Sequence, residues 1–281
     1  VKESVPPSAG SLAAATPVGA HEPSALEDEV RKRLASKKIL VMAHAVVGYP
    51  SVDANWQMLE RMDAAGVDLV ELQLPFSEPI ADGPVFVRAN QEALRGGLKR
   101  DQYFEILGRA ASRFSFPLLF MGYYNSVFRM GAAPFCDRLA RAGARGFIVP
   151  DLPPEEAREL NSLGRARGLD AILLFTPTNS EKRLAEIARQ ASGFVYCVAR
   201  KGVTGRRTDL SQGVEPFLAR CRKATQLPLA LGFGIKTPDD VRAVRGMADI
   251  AIVGTACLEA WQNGGARGFS ALLEGLTAAA H

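Results

Sequence analysis

LVELQLPFSEPIADGPVFVRAN, residues 69–90, is the stretch from which the rest of the chain can be read. Val67, Leu69, Val70 and Leu72 form a short apolar run of the kind that makes a buried strand, with Glu71 towards its carboxyl end. A loop containing Pro75, Pro79, Gly83 and Pro84 follows and carries Ser77, Glu78 and Asp82. In barrels and open α/β sheets the ligand lies at the carboxyl ends of the strands, so a carboxylate there is placed for chemistry. On that reading Asp82 faces Glu71 across one pocket. A plainer reading gives Glu71 a hydrogen bond to a loop and makes Asp82 the cap of a helix starting at Pro84. Taken alone, a Glu-loop-Asp pattern favours the plainer reading, because most carboxylates are solvated or capping groups.

Outward from this segment the chain alternates. Strand-like runs fall at 39–47, 69–72, 117–121, 146–149, 171–175, 194–198, 227–231 and 250–253, separated by amphipathic helical stretches at 52–65, 100–113, 133–142, 155–167, 180–190, 214–225 and 238–245. A last helix is expected at 268–279. Short strands each followed by a helix, repeated to this number, predict a single-domain (β/α)8 TIM barrel. A dinucleotide-binding sheet would show Gly-x-Gly-x-x-Gly after its first strand, and this chain has Gly48-Tyr49-Pro50 there. Residues 1–23, rich in Ser, Pro, Ala and Gly without periodicity, read as a disordered tail, and the barrel is expected over 24–281. Ser24 and Glu27 have the spacing of a capping box at the start of a short helix.

The length of 281 residues suits one barrel. With 34 Lys and Arg against 30 Asp and Glu, the net charge of +4 calls for neither nucleic acid nor an acidic membrane. Cys136, Cys197, Cys221 and Cys257 lack paired spacing, and there are only three histidines, so neither zinc nor a disulfide framework is expected. No apolar run reaches membrane-spanning length, and no charged segment leads into an apolar core near the start. The expected location is a reducing, cytoplasmic compartment.

The later strands end on glycines. Leu231-Gly232-Phe233-Gly234-Ile235 closes the seventh and Val253-Gly254-Thr255 the eighth, where barrels often hold a phosphate on backbone N–H groups. Such glycines also serve tight turns, but two of them at the two expected strands favour the anion site. The sixth strand runs into Arg200-Lys201-Gly202-Val203-Thr204-Gly205-Arg206-Arg207, a basic loop with glycine hinges that reads as a lid. His44 lies inside the first strand, where a buried structural histidine is the default and contact with a ligand the alternative. Tyr196 lies inside the sixth strand and is a candidate to point inward.

The run Glu71-Leu72-x-x-Pro75-Phe76-Ser77-Glu78-Pro79-x-Ala81-Asp82-Gly83-Pro84 resembles the signature of the tryptophan synthase alpha chain family. The similarity extends from Ile39 to the last helix. It includes Tyr124-Asn125, Val149-Pro150-Asp151-Leu152-Pro153, Gly202-Val203-Thr204-Gly205, Gly232-Phe233-Gly234-Ile235 and Gly254-Thr255. The resemblance implies a lyase that splits indole-3-glycerol phosphate into indole and glyceraldehyde 3-phosphate by a retro-aldol route. Carried over, Glu71 matches the acid/base and Asp82 the carboxylate at the indole N–H. The first step needs a neutral Glu71, a form that burial in an apolar barrel mouth favours. Tyr196 matches a tyrosine near the catalytic Glu, and Thr204 a lid residue. Gly205, Gly234, Gly254 and Thr255 match the phosphate site. The family implies no metal or cofactor in this chain. It does imply a beta-chain partner carrying pyridoxal phosphate in an αββα assembly, which meets this chain at the loop after strand two and the segment after strand three.

Several positions depart from the family pattern. Gln73 stands where the family has glycine, Glu78 replaces an aspartate, and His44 and Val46 stand where an apolar aromatic and a threonine are usual. Gly122-Tyr123 and Ala199 also differ. These departures leave open a diverged, free-standing indole-glycerol phosphate lyase of a secondary pathway, and a weakly catalytic subunit that activates a beta chain. A phosphate-binding barrel for another substrate is a further reading, against which the Glu71–Asp82 pair counts.

Overall fold

The computed structural model describes residues 22–198, 213–232 and 234–281. The expectation for the tail falls outside the described residues except at Glu22 and Pro23, and the lid, with Thr204 and Gly205, falls outside them altogether.

Among the described residues nine parallel strand segments follow one another around a nearly closed barrel. They are β1 (Leu40–Val46), β2 (Leu69–Gln73), β3 (Leu118–Met121), β4 (Gly146–Ile148), β5 (Asp170–Ala171), β6 (Leu173–Phe175), β7 (Val195–Val198), β8 (Leu229–Gly232) and β9 (Ile250–Val253). The sequence led us to expect eight. The difference is one strand broken in the middle: β5 pairs with β4, β6 pairs with β7, and Ile172 alone joins them. β1 closes the other seam by pairing with both β2 and β9. The strands are buried on both faces, which is why they read as apolar runs rather than alternating ones.

Helices cover the outside. They are α1 (Ala25–Leu34), α2 (Val52–Ala64), α3 (Pro84–Arg95), α4 (Arg100–Arg113), α5 (Tyr124–Met130), α6 (Ala132–Arg141), α7 (Arg158–Arg165), α8 (Glu181–Ala188), α9 (Val214–Ala224), α10 (Pro238–Ala243) and α11 (Thr255–Ala278). α11 begins thirteen residues before the expected last helix, directly after β9, and is interrupted at Gly265, whose φ of 53° and ψ of −149° are not helical.

α1 lies across the amino-terminal ends of the strands. Ser24 Oγ accepts from the Glu27 N–H at 3.1 Å and donates to Asp170 Oδ2 at 2.7 Å. Arg31 donates to the Gln226 carbonyl at 2.7 Å, and Arg33 to that of Ser115 at 2.9 Å. Leu26 and Val30 are fully buried and complete the apolar cluster inside the barrel with Leu40, Leu69, Phe194 and Ile250. Burying two such side chains stabilises the closure by about 3–6 kcal/mol.

Candidate active site

Strand parity selects the side chains that enter the barrel. In β1 Leu40 and Met42 join the interior cluster, so His44, two residues on, also points inward. In β2 Leu69 does the same, so Glu71 and Gln73 follow it. The β1–β2 register sets His44 opposite Glu71 and Val46 opposite Gln73. Tyr196 faces in from β7 and is paired in register with Ala230.

These side chains form one connected set. His44 Nδ1 lies 2.9 Å from Glu71 Oε1, and His44 Nε2 lies 3.0 Å from Gln73 Oε1. Gln73 Nε2 donates to Asp82 Oδ2 at 2.8 Å and approaches Asn90 Oδ1 at 3.4 Å. Glu71 is 1 % exposed and Gln73 is fully buried, so the long amide finds its room by bridging the histidine and the aspartate. Among the described residues His44 is the group that reaches the Glu71 carboxyl, through Oε1, and Glu71 Oε2 meets no protein donor, which leaves that oxygen to act on a molecule in the cavity.

The loop after β2 is held at several points. Phe76 N–H donates to Asn90 Oδ1 at 2.9 Å, Ala81 N–H donates to the Tyr123 hydroxyl at 3.1 Å, and the Phe76 and Tyr123 rings stack at 5.3 Å. Asp82 does not cap α3: its N-cap is Gly83, with no side-chain hydrogen bond. Glu71 contacts a histidine on the neighbouring strand rather than a loop. The plainer reading of both carboxylates therefore fails on geometry.

Burial pushes the Asp82 carboxyl above its ordinary range, while the Gln73 hydrogen bond and the nearby His44 pull it part of the way back. For His44, burial is the largest influence and lowers its pKa, yet the combined pull of Glu71, Asp82 and Gln73 leaves it above its ordinary value. Burial also holds the Tyr196 hydroxyl well above its ordinary range, with the Glu71 and Asp82 charges adding to the effect.

His44, Glu71, Asp82, Tyr196, Gly234, Gly254 and Thr255 line one cleft that is partly open to solvent. Its walls are mainly apolar, from Phe86, Met121, Ile148, Leu174 and Ile252, as suits a flat aromatic guest. The Gly254 backbone packs so closely that a Cβ there would meet the Phe86 ring at 2.9 Å. Thr255 opens α11, whose first N–H groups point out of the helix start. Lys236, whose Nζ is 3.2 Å from Glu259, lines the same cleft and was missed in the sequence. Its place one residue beyond the Gly232–Ile235 run was the available signal. His44 is buried and hydrogen-bonded, as its default reading has it, and its ring also borders the cleft beside Glu71. Thr204 and Gly205 lie outside the described residues.

Among the described residues no group of three or more His, Cys, Asp and Glu is placed to hold a metal ion, and no helix is long and apolar enough to cross a membrane. Cys136, Cys197, Cys221 and Cys257 are free and buried.

Fold and site together define a class: a (β/α)8 barrel with an apolar cleft at the carboxyl ends of its strands, carrying paired carboxylates and glycine turns. Residues 31–273 match the family model described as tryptophan synthase alpha chain. The chain is 46 % identical over 251 residues to the tryptophan synthase alpha chain of Syntrophotalea carbinolica, covering 89 % of this chain and 99 % of the relative. The alpha chain of Desulforapulum autotrophicum gives the same identity and coverage. Among solved structures, tryptophan synthase of Mycobacterium tuberculosis superposes with a TM-score of 0.86 at 31 % identity, over 92 % of this chain and 99 % of that one. The tryptophan synthase complex of Pyrococcus furiosus superposes with a TM-score of 0.78 at 26 % identity, over 85 % of this chain and 98 % of that one. This chain belongs to the tryptophan synthase alpha chain family. That membership favours the alpha-subunit reading over a free-standing lyase or a weakly catalytic activator.

Proposed function

We propose that this chain cleaves indole-3-glycerol phosphate to indole and glyceraldehyde 3-phosphate, a carbon–carbon lyase reaction, as the alpha subunit beside a beta chain. The observation that carries the reading is the cleft itself. Glu71 and Asp82 border it together with Gly234, Gly254 and Thr255, so an aromatic ring and its anionic tail have separate anchors within one cavity.

Glu71 gives a proton to the ring carbon that bears the glycerol chain, and the positive charge that results reaches the ring nitrogen. Asp82 accepts a hydrogen bond from that N–H and stabilises the charge. Glu71 then takes the proton from the adjacent side-chain hydroxyl. The carbon–carbon bond breaks, its electron pair restores the indole ring, and the aldehyde forms. The proton returns to Glu71, so the cycle needs no cofactor in this chain. Tyr196 packs beside the ring, and the turns at Gly234 and Gly254 hold the phosphate with the Thr255 end of α11. Thr204 and Gly205 extend this set by family resemblance, as lid and phosphate positions.

The partner face follows the same reading. Ile80, in the loop after β2, is 75 % exposed, and Phe128, in the segment after β3, is 71 % exposed. Large apolar side chains left in water at those two places suit docking to a beta chain that carries pyridoxal phosphate, in an αββα assembly within the cytoplasm. The test is indole release by the purified protein, with and without a beta chain. Glu71→Gln is expected to lower it by about 10²–10⁴-fold. Full activity in that variant would remove Glu71 from its role.

A further inference from the structure

The orientation of the side chains that lead from Asn90 through Gln73 to His44 can be traced from the backbone. Asn90 Nδ2 donates to the Phe86 carbonyl at 2.8 Å, and Asn90 Oδ1 accepts from the Phe76 N–H at 2.9 Å, so this amide has one allowed direction. Gln73 therefore turns its NH2 towards Asn90 Oδ1 and the Asp82 carboxylate, and its oxygen towards His44. An amide oxygen only accepts, so His44 Nε2 must carry a hydrogen. In a neutral ring the other nitrogen is then bare. Bare Nδ1 and an ionised carboxylate would oppose lone pairs at 2.9 Å, so a proton belongs to the Nδ1–Oε1 contact.

We propose that His44 and Gln73 are positioning residues of the lyase reaction: His44 shares one proton with Glu71 across the Nδ1–Oε1 contact, the proton that Glu71 delivers, while Gln73 fixes the ring by holding Nε2–H. The inference rests on the acid role given to Glu71 above. The proton is conserved in the step: it passes from the pair to the ring carbon, and the substrate hydroxyl returns one to Glu71. His44 does not touch the reacting atoms in this scheme. Gln73 also ties the pair to Asp82, so the group that protonates the ring and the group that steadies the ring nitrogen are held by one amide.

The groups that face His44 are few. Glu71 comes from β2 and Asp82 from the loop after it, and the Phe86 ring of α3 lies with its centroid 4.4 Å from the imidazole. The Cys257 thiol of α11 lies against the His44 backbone, and Tyr196 and Lys236 line the same cleft. The two carboxylates are the nearest charges and both favour the protonated ring.

The experiment is nitrogen NMR of the His44 ring across pH in the intact chain, beside the pH profile of kcat/KM for indole release. In the parent, Nε2 is expected to stay protonated throughout while Nδ1 titrates with a midpoint above the ordinary 6.5, and the same midpoint is expected in the kcat/KM profile. Glu71→Gln should bring the ring midpoint down, because burial then acts with less opposition. Gln73→Leu should release the tautomer, leaving a mixture of Nδ1–H and Nε2–H in the neutral ring. His44→Phe should displace the corresponding limb of the kcat/KM profile. An Nδ1 midpoint that ignores Glu71→Gln, or a profile that ignores His44→Phe, would overturn the proposal. If the parent releases no indole, the lyase reading fails, and the NMR arms still decide whether the proton is shared.

Discussion

Gly232 lies directly beneath the Tyr196 ring: a Cβ at position 232 would come within 2.8 Å of Cζ and of the hydroxyl oxygen, and closer still to Cε1. β7 and β8 run side by side here, with Val198 paired to Gly232 and Tyr196 to Ala230. The tyrosine therefore leans along the barrel interior over a neighbour that has no side chain. Gly232→Ala is expected to displace the ring into the cleft. Denaturant unfolding should show a loss of about 1–3 kcal/mol from overpacking, and steady-state kinetics a raised KM.

Asp82→Asn separates chemistry from stability. On the proposed mechanism, removing this charge should lower kcat by about 10²–10³-fold. Burial raises the folded pKa of Asp82, so the folded chain binds that proton more tightly than the unfolded chain does. Stability therefore falls as pH rises from the ordinary carboxyl range through the folded value. The asparagine variant lacks this loss. Urea unfolding should find it more stable than the parent at neutral pH, with the difference closing as the pH is lowered through the ordinary carboxyl range.

His44 has the opposite pH signature. Its folded pKa lies above the unfolded one, so its contribution to stability is fully present below about 6.5 and is lost as pH rises through the folded value. His44→Phe should thus cost more stability in mildly acidic buffer than in alkaline buffer. Thermal unfolding at the two pH values measures the contrast.

Tyr103 reaches β2 from α4. Its hydroxyl donates to the Leu72 carbonyl at 2.8 Å from a fully buried ring set edge-on to Phe104 and Phe120. Leu72 stands between Glu71 and Gln73, so this bond steadies the strand that carries both. Tyr103→Phe should cost about 1–2 kcal/mol in denaturant unfolding.

Phe128 provides a test of the partner face away from the cleft. Phe128→Ser should leave the indole release of the isolated chain unchanged. Its affinity for a beta chain, measured by titrating the stimulation of activity, should fall about tenfold or more.

The alternation of apolar runs and amphipathic stretches was enough to read the barrel, because each strand is buried on both faces and each helix on one. What it did not contain was the break at Ile172, where pairing changes partner without a change in apolarity. The seven residues of α5, Tyr124–Met130, are too few to show a period, and α11 starts directly from Gly254 with no side-chain cap to mark its beginning. At the site, the Glu-loop-Asp spacing alone favours the plainer reading, and it is the resemblance of the whole run 71–84 that singles out Glu71 and Asp82. His44 and Gln73 are 29 residues apart, and nothing local in the chain says that their side chains meet. That meeting depends on the β1–β2 register, a long-range property of the sheet.

With Leu26 and Val30 of α1 stoppering the far end of the barrel, the molecule is a blind-ended vessel. A guest in the cleft therefore faces the opposite rim, and a neighbouring protein seated there would meet whatever the barrel releases.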